Sequence, residues 1–295
     1  MKPWVILFLS TLSCASHITP AVLPARVAPP GAPLPGVRAC WVEFSETFGF
    51  TASGILVHHP KGVLLIDAGQ STAFASEIGD HPFREWWYLK AVPGGLIPDA
   101  PAADVIRRAG VEPGTLWGFI PTHAHSDHLG GLMDLPDIPI LMSPAEIDVV
   151  TKAPTEAHFN VIPAHSHRLV GRMRPLDFVA APYEVFSQHA DVFGDGSVVV
   201  VPLPGHTPGS VGVFINLPGQ RLFNAGDAIN TVDAMEDLRG KQFYLQRTDE
   251  NPAQADARVA ELAALHAQVP LLHVLPAHQR TAWAETFGTP GACVE

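Results

Sequence analysis

Charge and cysteine are both scarce in this chain, and each scarcity narrows what it can be. Charged residues are 16% of the 295 positions, with 18 basic against 29 acidic side chains and a formal net charge of −11. Nucleic-acid binding needs a basic surface that neutralises phosphates. This balance therefore speaks against a nucleic-acid partner and against polymeric phosphodiester substrates, though not against small phosphoesters. No run after residue 14 is long and apolar enough to span a bilayer. There is no tandem repeat and no sign of a second folded domain. At 47% hydrophobic the chain has ample material for one large core.

The N-terminus reads as a leader. MKPWVILFLSTLSCAS has one Lys, an apolar run from Trp4 to Leu9 and small residues around Cys14, which is the pattern of a short secretory signal over residues 1–18. TLSC is an imperfect lipoprotein cleavage box, with its Leu one place too late. Lipid attachment at Cys14 and a plain signal cut further on both stand open. Residues 19–36, rich in Pro and Ala, predict an extended tether, and residues 37–295 the folded domain. The expected location is exported, either periplasmic or extracellular, with membrane anchoring if Cys14 is lipidated. Export leaves Cys40 and Cys293, one near each end of the folded domain. An oxidising compartment would allow them to bond, and two free thiols are the alternative.

What the chain does have is histidine, 15 in all, concentrated where it matters. HAHSDH supplies His123, His125, Asp127 and His128. Imidazole nitrogen and carboxylate oxygen bind zinc at roughly 2.0–2.2 Å. Alternate residues of an extended segment point the same way, so His123 and His125 can grip one ion, while Asp127 and His128 follow the bend and can face another. The apolar stretch TLWGFIPTH predicts a strand ending at the motif, and DHLGGLMDL a short helix after it. A histidine-rich surface loop is the bland alternative, and the apolar strand before the motif argues against it. Three later pieces each sit just past an apolar strand: His206 in PGHTPGS, Asp227 in NAGDAIN and His278 in LPAHQ. Taken singly each is a weak signal, since a lone GD is usually a turn.

The order of these residues resembles the metallo-β-lactamase superfamily, over residues 50–280. The resemblance implies a four-layer αβ/βα sandwich with two mixed β-sheets. It implies two Zn²⁺ per chain, the first held by His123, His125 and His206, the second by Asp127, His128 and His278, with Asp227 bridging. Asp67, in the strand pair GILVHHPKGVLLIDAG, matches a family Asp that supports the metal ligands from behind; a turn-forming Asp in DAG is its other reading. The implied chemistry is hydrolysis of a small acyl ester by a metal-bridging hydroxide, since zinc lowers the pKa of bound water to about 7. Asp127 could also accept or return a proton.

Asp227 argues against a true β-lactamase, which resembles this pattern without the bridging carboxylate. Lactonases, glyoxalase-II-like thioesterases, phosphodiesterases and mononuclear iron persulfide dioxygenases remain, and a small-molecule substrate is common to them. DAIN at 227–230 looks most like the lactonase pattern, where a Tyr stands three residues after the bridging Asp. Here that place holds Asn230, whose amide can donate a hydrogen bond to a carbonyl but cannot give up a proton. Tyr244 is a candidate substitute, with a half-buried packing role as its alternative. Residues 81–98, with Phe83, Trp86, Trp87 and Tyr88, suggest one lip over the metals, and residues 155–171 the opposing lip; the alternative for the aromatics is an anchor of a long loop on the core, the reading taken for Trp86, with Trp87 read as a pocket residue. His165 and His167 read as loop residues there, not as a further metal site.

Strands are expected near 54–58, 62–67, 115–121, 138–142, 196–202, 211–216, 221–225 and 272–276. Helices are expected at 101–110, stopped by Gly110, at 143–152, with a capping box of Ser143 and Glu146, and at 251–268, with Asn251 as cap and Pro252 at its first position. Val259, Leu262 and Leu265 form a narrow apolar face on the last of these.

Overall fold

The computed structural model describes residues 15–27, 35–80, 96–269 and 271–295. Two mixed sheets form the centre. Among the described residues the first has seven strands and the second five. In the first sheet, β1 (Arg38–Thr47), β2 (Phe50–His59) and β3 (Gly62–Ile66) form an antiparallel meander, and β12 (Cys293–Val294) pairs antiparallel on its outer edge. From β3 onward, β4 (Leu116–Ile120), β5 (Ile140–Met142) and β6 (Met173–Pro175) run parallel. In the second sheet, β7 (Ala190–Asp191), β8 (Val198–Pro202), β9 (Val211–Asn216) and β10 (Arg221–Gly226) alternate, and β11 (Leu272–Pro276) pairs parallel to β10.

Successive side chains on a strand point to opposite faces, and here that period builds four layers. Ile55, Val57, Leu64 and Ile66 meet Val198, Val200, Val213 and Ile215 between the sheets. Their neighbours Leu56, Leu65 and Phe119 point outward, onto the helix Ala102–Arg108 and the helix Pro144–Lys152. On the far side Val199, Val201, Phe214 and Phe223 pack against Val259, Leu262 and Leu265 of the helix Pro252–Gln268. A strand covered on both faces has no polar alternation, which is why these runs read as continuous β-branched stretches.

The two longer expected helices form with the caps their sequences indicate. Ser143 accepts from the Glu146 amide at 3.1 Å, and Asn251 from the Gln254 amide at 3.1 Å. The Glu146 side chain, however, does not turn back to close a capping box. It is buried and reaches toward the histidine loops instead. The helix Pro163–Leu169 was expected as loop; it carries His165, buried against Glu77 at 2.9 Å, together with His167. Proline at its first turn fits a helix start. A helix at Arg280–Phe287 lies over Trp41 through Trp283 and Phe287.

A disulfide joins Cys40 to Cys293, which face each other across β1 and β12. The stretch expected as a tether is irregular where described, yet its Ala21 and Leu23 pack on the second sheet's outer core, where Ile18, the last residue of the expected signal, is buried. Cys14 and the aromatics Phe83, Trp86, Trp87 and Tyr88 lie outside the described residues. Among the described residues no helix is long and apolar enough to cross a membrane.

Candidate metal centre

Every sequence-derived candidate ligand follows the C-terminal end of a strand, and those ends meet at one edge of the sandwich. Asp67 follows β3, the 123–128 motif follows β4, His206 follows β8, Asp227 follows β10 and His278 follows β11. The close approach has a local cause. A Cβ on Gly226 would lie 2.8 Å from the Thr122 side chain, and its φ of 53° is one that glycine adopts freely.

Two groups of donors result. His123, His125, His206 and Asp227 form one; Asp127, His128 and His278 form the other. The His206 Nε2 lies 3.0 Å from the His125 Nδ1 and 3.4 Å from Asp227 Oδ2. On the other side His278 Nε2 is 3.3 Å from Asp227 Oδ1 and 3.5 Å from Asp127 Oδ2, and His128 Nε2 is 3.4 Å from Asp227 Oδ1. Ligands of one tetrahedral zinc sit about 3.3 Å apart at the usual bond lengths. One oxygen of Asp227 thus belongs to each group.

Buried polar atoms normally have partners. Here His123 Nε2 and His128 Nε2 are buried with no hydrogen-bond partner. Their other ring nitrogens are engaged: Nδ1 of each lies 3.2 Å from the Thr122 hydroxyl, and that of His128 also 3.3 Å from Asp67. His278 Nδ1 donates to the Thr51 carbonyl at 2.8 Å. His206 Nδ1 contacts Asp249 at 2.8 Å. His123, His128, His206 and His278 are thus held from behind, so that the other nitrogen faces the centre; His125 turns its Nδ1 to His206, and its buried Nε2 has no hydrogen-bond partner. A set of imidazoles and carboxylates oriented in this way fits divalent zinc.

Residues that the sequence reading missed hold the set together. Asn160 donates to Asp127 Oδ1 at 2.9 Å and is itself fixed by Ser126, which receives Gln70. Lys241 is buried, and its ammonium bonds Asp249 behind His206. Glu146 accepts from the Ala124 amide at 2.5 Å, the Thr207 hydroxyl at 2.8 Å and the Gly209 amide at 3.0 Å, tying the His123–His125 loop to the His206 loop. Glu146 was visible as a helix-cap residue; Asp249 and Lys241 carry no local pattern. Asp67 meets both of its readings. Its φ is 55°, a turn conformation, and its carboxylate accepts from the Thr122 amide at 2.7 Å while facing His128.

Electrostatics divide the two groups. Burial holds His123, His125 and His206 well below the ordinary imidazole value, with nearby imidazoles and Lys241 adding to it. These rings are neutral, the form that offers a lone pair to a metal. Burial also opposes charge on His128 and His278, but Asp67 and Asp227 outweigh it for His128, and Asp227 for His278, which is lifted to about 9. Burial favours a neutral Asp227; His278 and His128 reverse this and hold it well below the carboxylate range. Protons on the second group therefore stand in for a cation, and a metal entering there must displace them.

A cavity of about 400 Å³ opens over Asp127, His206, Asp227 and His278. Asn230 lines it, beside Asn160 and Phe159 from the stretch expected as a lip. Of the other expected lip, Leu96 lines the cavity and residues 81–95 lie outside the description. Tyr244 falls in the short helix Phe243–Gln246, and its side chain lies outside the described residues.

A family model described as the metallo-beta-lactamase superfamily matches residues 47–285. The chain belongs to the metallo-beta-lactamase superfamily. Within it, the chain is 24% identical over 237 residues to an N-acyl homoserine lactonase AttM of Rhizobium radiobacter, covering 80% of this chain and 84% of that one. It is 22% identical over 208 residues to the N-acyl homoserine lactonase AiiA of Bacillus thuringiensis subsp. kurstaki, covering 66% and 72%. Among solved structures, a B. thuringiensis AiiA variant with N-decanoyl-L-homoserine at its active site superposes with a TM-score of 0.61 at 16% identity, over 82% of this chain and 92% of that one. AidC, described as a dizinc quorum-quenching lactonase, superposes with a TM-score of 0.54 at 15% identity, over 90% and 91%. At such identities the superpositions speak to the fold, the expected sandwich. As a member of this superfamily, the chain is a metallo-hydrolase.

Proposed function

We propose that this metallo-hydrolase binds two zinc ions and opens the ring of a small lactone, with N-acyl homoserine lactones as the substrate class. The observation that carries this reading is the placement of Asp227, with one carboxylate oxygen toward each donor group. His123, His125 and His206 would hold one ion, Asp127, His128 and His278 the other, and Asp227 both. Bound zinc supplies Lewis acidity and a nucleophile at neutral pH.

The chain's own residues do the rest. Asp249, Asp67 and the Thr51 carbonyl orient His206, His128 and His278. Asn160 fixes Asp127, so that its second oxygen keeps to the His278 side. Asn230, on the cavity wall, donates its amide to the substrate carbonyl. Phe50, Leu96, Phe159, Ile229 and Leu245 give the cavity an apolar side for an acyl group, and its volume lies in the ordinary range for small-molecule sites. The relatives named as lactonases support the same substrate class.

One observation favours a second reading, a thioesterase. Asn230 has no proton to give to a departing alkoxide, whereas a thiol ionises near pH 8.5 and leaves without one. We also propose that the chain is exported, since disulfides such as Cys40–Cys293 persist in oxidising compartments. Lactone, thioester, phosphoester and β-lactam substrates, each assayed with wild type and Asp227→Ala, test the proposal. Lactone turnover that collapses in the variant is expected. Turnover of thioester alone would select the second reading. Undiminished activity in the variant would refute the bridging role.

A further inference from the structure

We propose that residues 15–27 form a fixed strap whose first residues wall the catalytic cavity and limit the acyl group that the site accepts. The substrate half of this inference rests on the acyl-ester reading above; the strap itself does not.

The strap is pinned at both ends. At residue 27, Val27 and Glu184 exchange two backbone hydrogen bonds, each 2.9 Å. The Arg26 guanidinium grips the Glu184 carboxylate, which is fully buried and also receives Arg221 at 2.6 Å. Glu184 is held at a φ of 52°, a sparsely populated conformation for such a residue. The strap's part-exposed Arg26 therefore shares a buried carboxylate with Arg221, which ties this end of the strap to the body of the fold. In between, Ala21 and Leu23 pack on the second sheet's outer core.

At the other end the strap reaches the active site. Ile18 is buried in that same core, its amide donating to the Leu238 carbonyl at 2.8 Å. The Gly240 amide donates to the Ser16 carbonyl at 2.9 Å. A Cβ on Gly240 would come within 2.6 Å of the Ser16 hydroxyl oxygen, so the strap and this loop lie in close contact. One residue further, Ala15 lines the cavity beside Gly240 and Lys241. The strap thus both contributes a wall residue to the cavity and hydrogen-bonds the loop that delivers Lys241 to Asp249 and His206. A leader cut after residue 18 would remove the wall, so processing must leave Ala15 in place.

Three measurements on the full chain and its exported product test this. In hydrogen exchange, the Ile18 and Gly240 amides are expected to be protected at least tenfold over an open chain, and Arg26→Ala to reduce that protection. Exchange at open-chain rates in the wild type would overturn the strap. Ala15→Trp, which narrows the cavity, is expected to raise KM for a ten-carbon N-acyl lactone at least tenfold more than KM for a four-carbon one. Equal effects on both lactones, or none, would overturn the selectivity role. The intact mass of the exported protein is expected to retain residues 15–18, and their loss would contradict the inference. Protected amides in a protein that hydrolyses neither lactone would refute the acyl-ester reading while supporting the strap.

Discussion

Replacing Glu146 with Ala should uncouple the two histidine loops, and the loss has a pH signature that a simple cavity does not. In the wild type three buried donors converge on this carboxylate: the Ala124 amide, the Gly209 amide and the Thr207 hydroxyl. In the variant Thr207 keeps its contact to Ser210 at 2.7 Å, while the two amides lose their acceptor. An unsatisfied buried group costs about 1–3 kcal/mol, so the deficit should be about 2–6 kcal/mol. Burial pushes the Glu146 carboxyl up to about 7, against hydrogen bonds from Thr207, Ala124 and Gly209 that lower it. A raised folded value means that stability present below the unfolded value, 4.5, is lost as pH rises toward 7. The wild type loses this increment between pH 5 and 8 and the variant does not. The deficit should therefore shrink by about 2 kcal/mol over that range. Urea unfolding of zinc-saturated protein at pH 5 and 8 measures it. A deficit below about 1 kcal/mol at pH 5, or one that grows with pH, would refute the reasoning.

Further outcomes follow from the same geometry. Asp249→Asn weakens the hold on His206 Nδ1 and should lower zinc affinity or turnover about 10–100-fold, measured by competition with a chelator. Zinc must displace the protons that Asp227, against burial, holds on His278, whose value is about 9. Apparent affinity should therefore rise up to about tenfold per pH unit for each displaced proton below that value, as titrations at pH 6, 7 and 8 would show. Paired Cys40→Ser and Cys293→Ser removes a link between residues 253 apart. It should destabilise by about 2–4 kcal/mol in denaturant titrations, and an unchanged midpoint would contradict it.

The candidate metal-centre residues were legible because a metal demands particular donor atoms at fixed spacing, and HAHSDH places four such donors in six residues. His206, Asp227 and His278 showed themselves by position, each just beyond an apolar strand. The caps Ser143 and Asn251 made two helices readable, since a cap is a local hydrogen bond. What was not legible is non-local. β1 went unpredicted because Trp41 faces the inter-sheet core while Cys40 and Val42 face the opposite core, which erases the polar alternation of a half-exposed strand. Short elements such as the helix Pro163–Leu169 leave too little periodicity to read. Glu146 looked like a cap completing a box, yet two distant loops offered its carboxylate better donors than the Ser143 amide. Asp249 and Lys241 meet His206 only through the fold.

The central claim is that these side chains hold a pair of cations. Metal analysis of the purified chain by mass spectrometry, alongside Asp227→Ala, tests it most directly. Two zinc ions per chain in the wild type, with loss of metal in the variant, is the predicted result. A single iron per wild-type chain, or zinc that stays at full occupancy when Asp227 is gone, would contradict it.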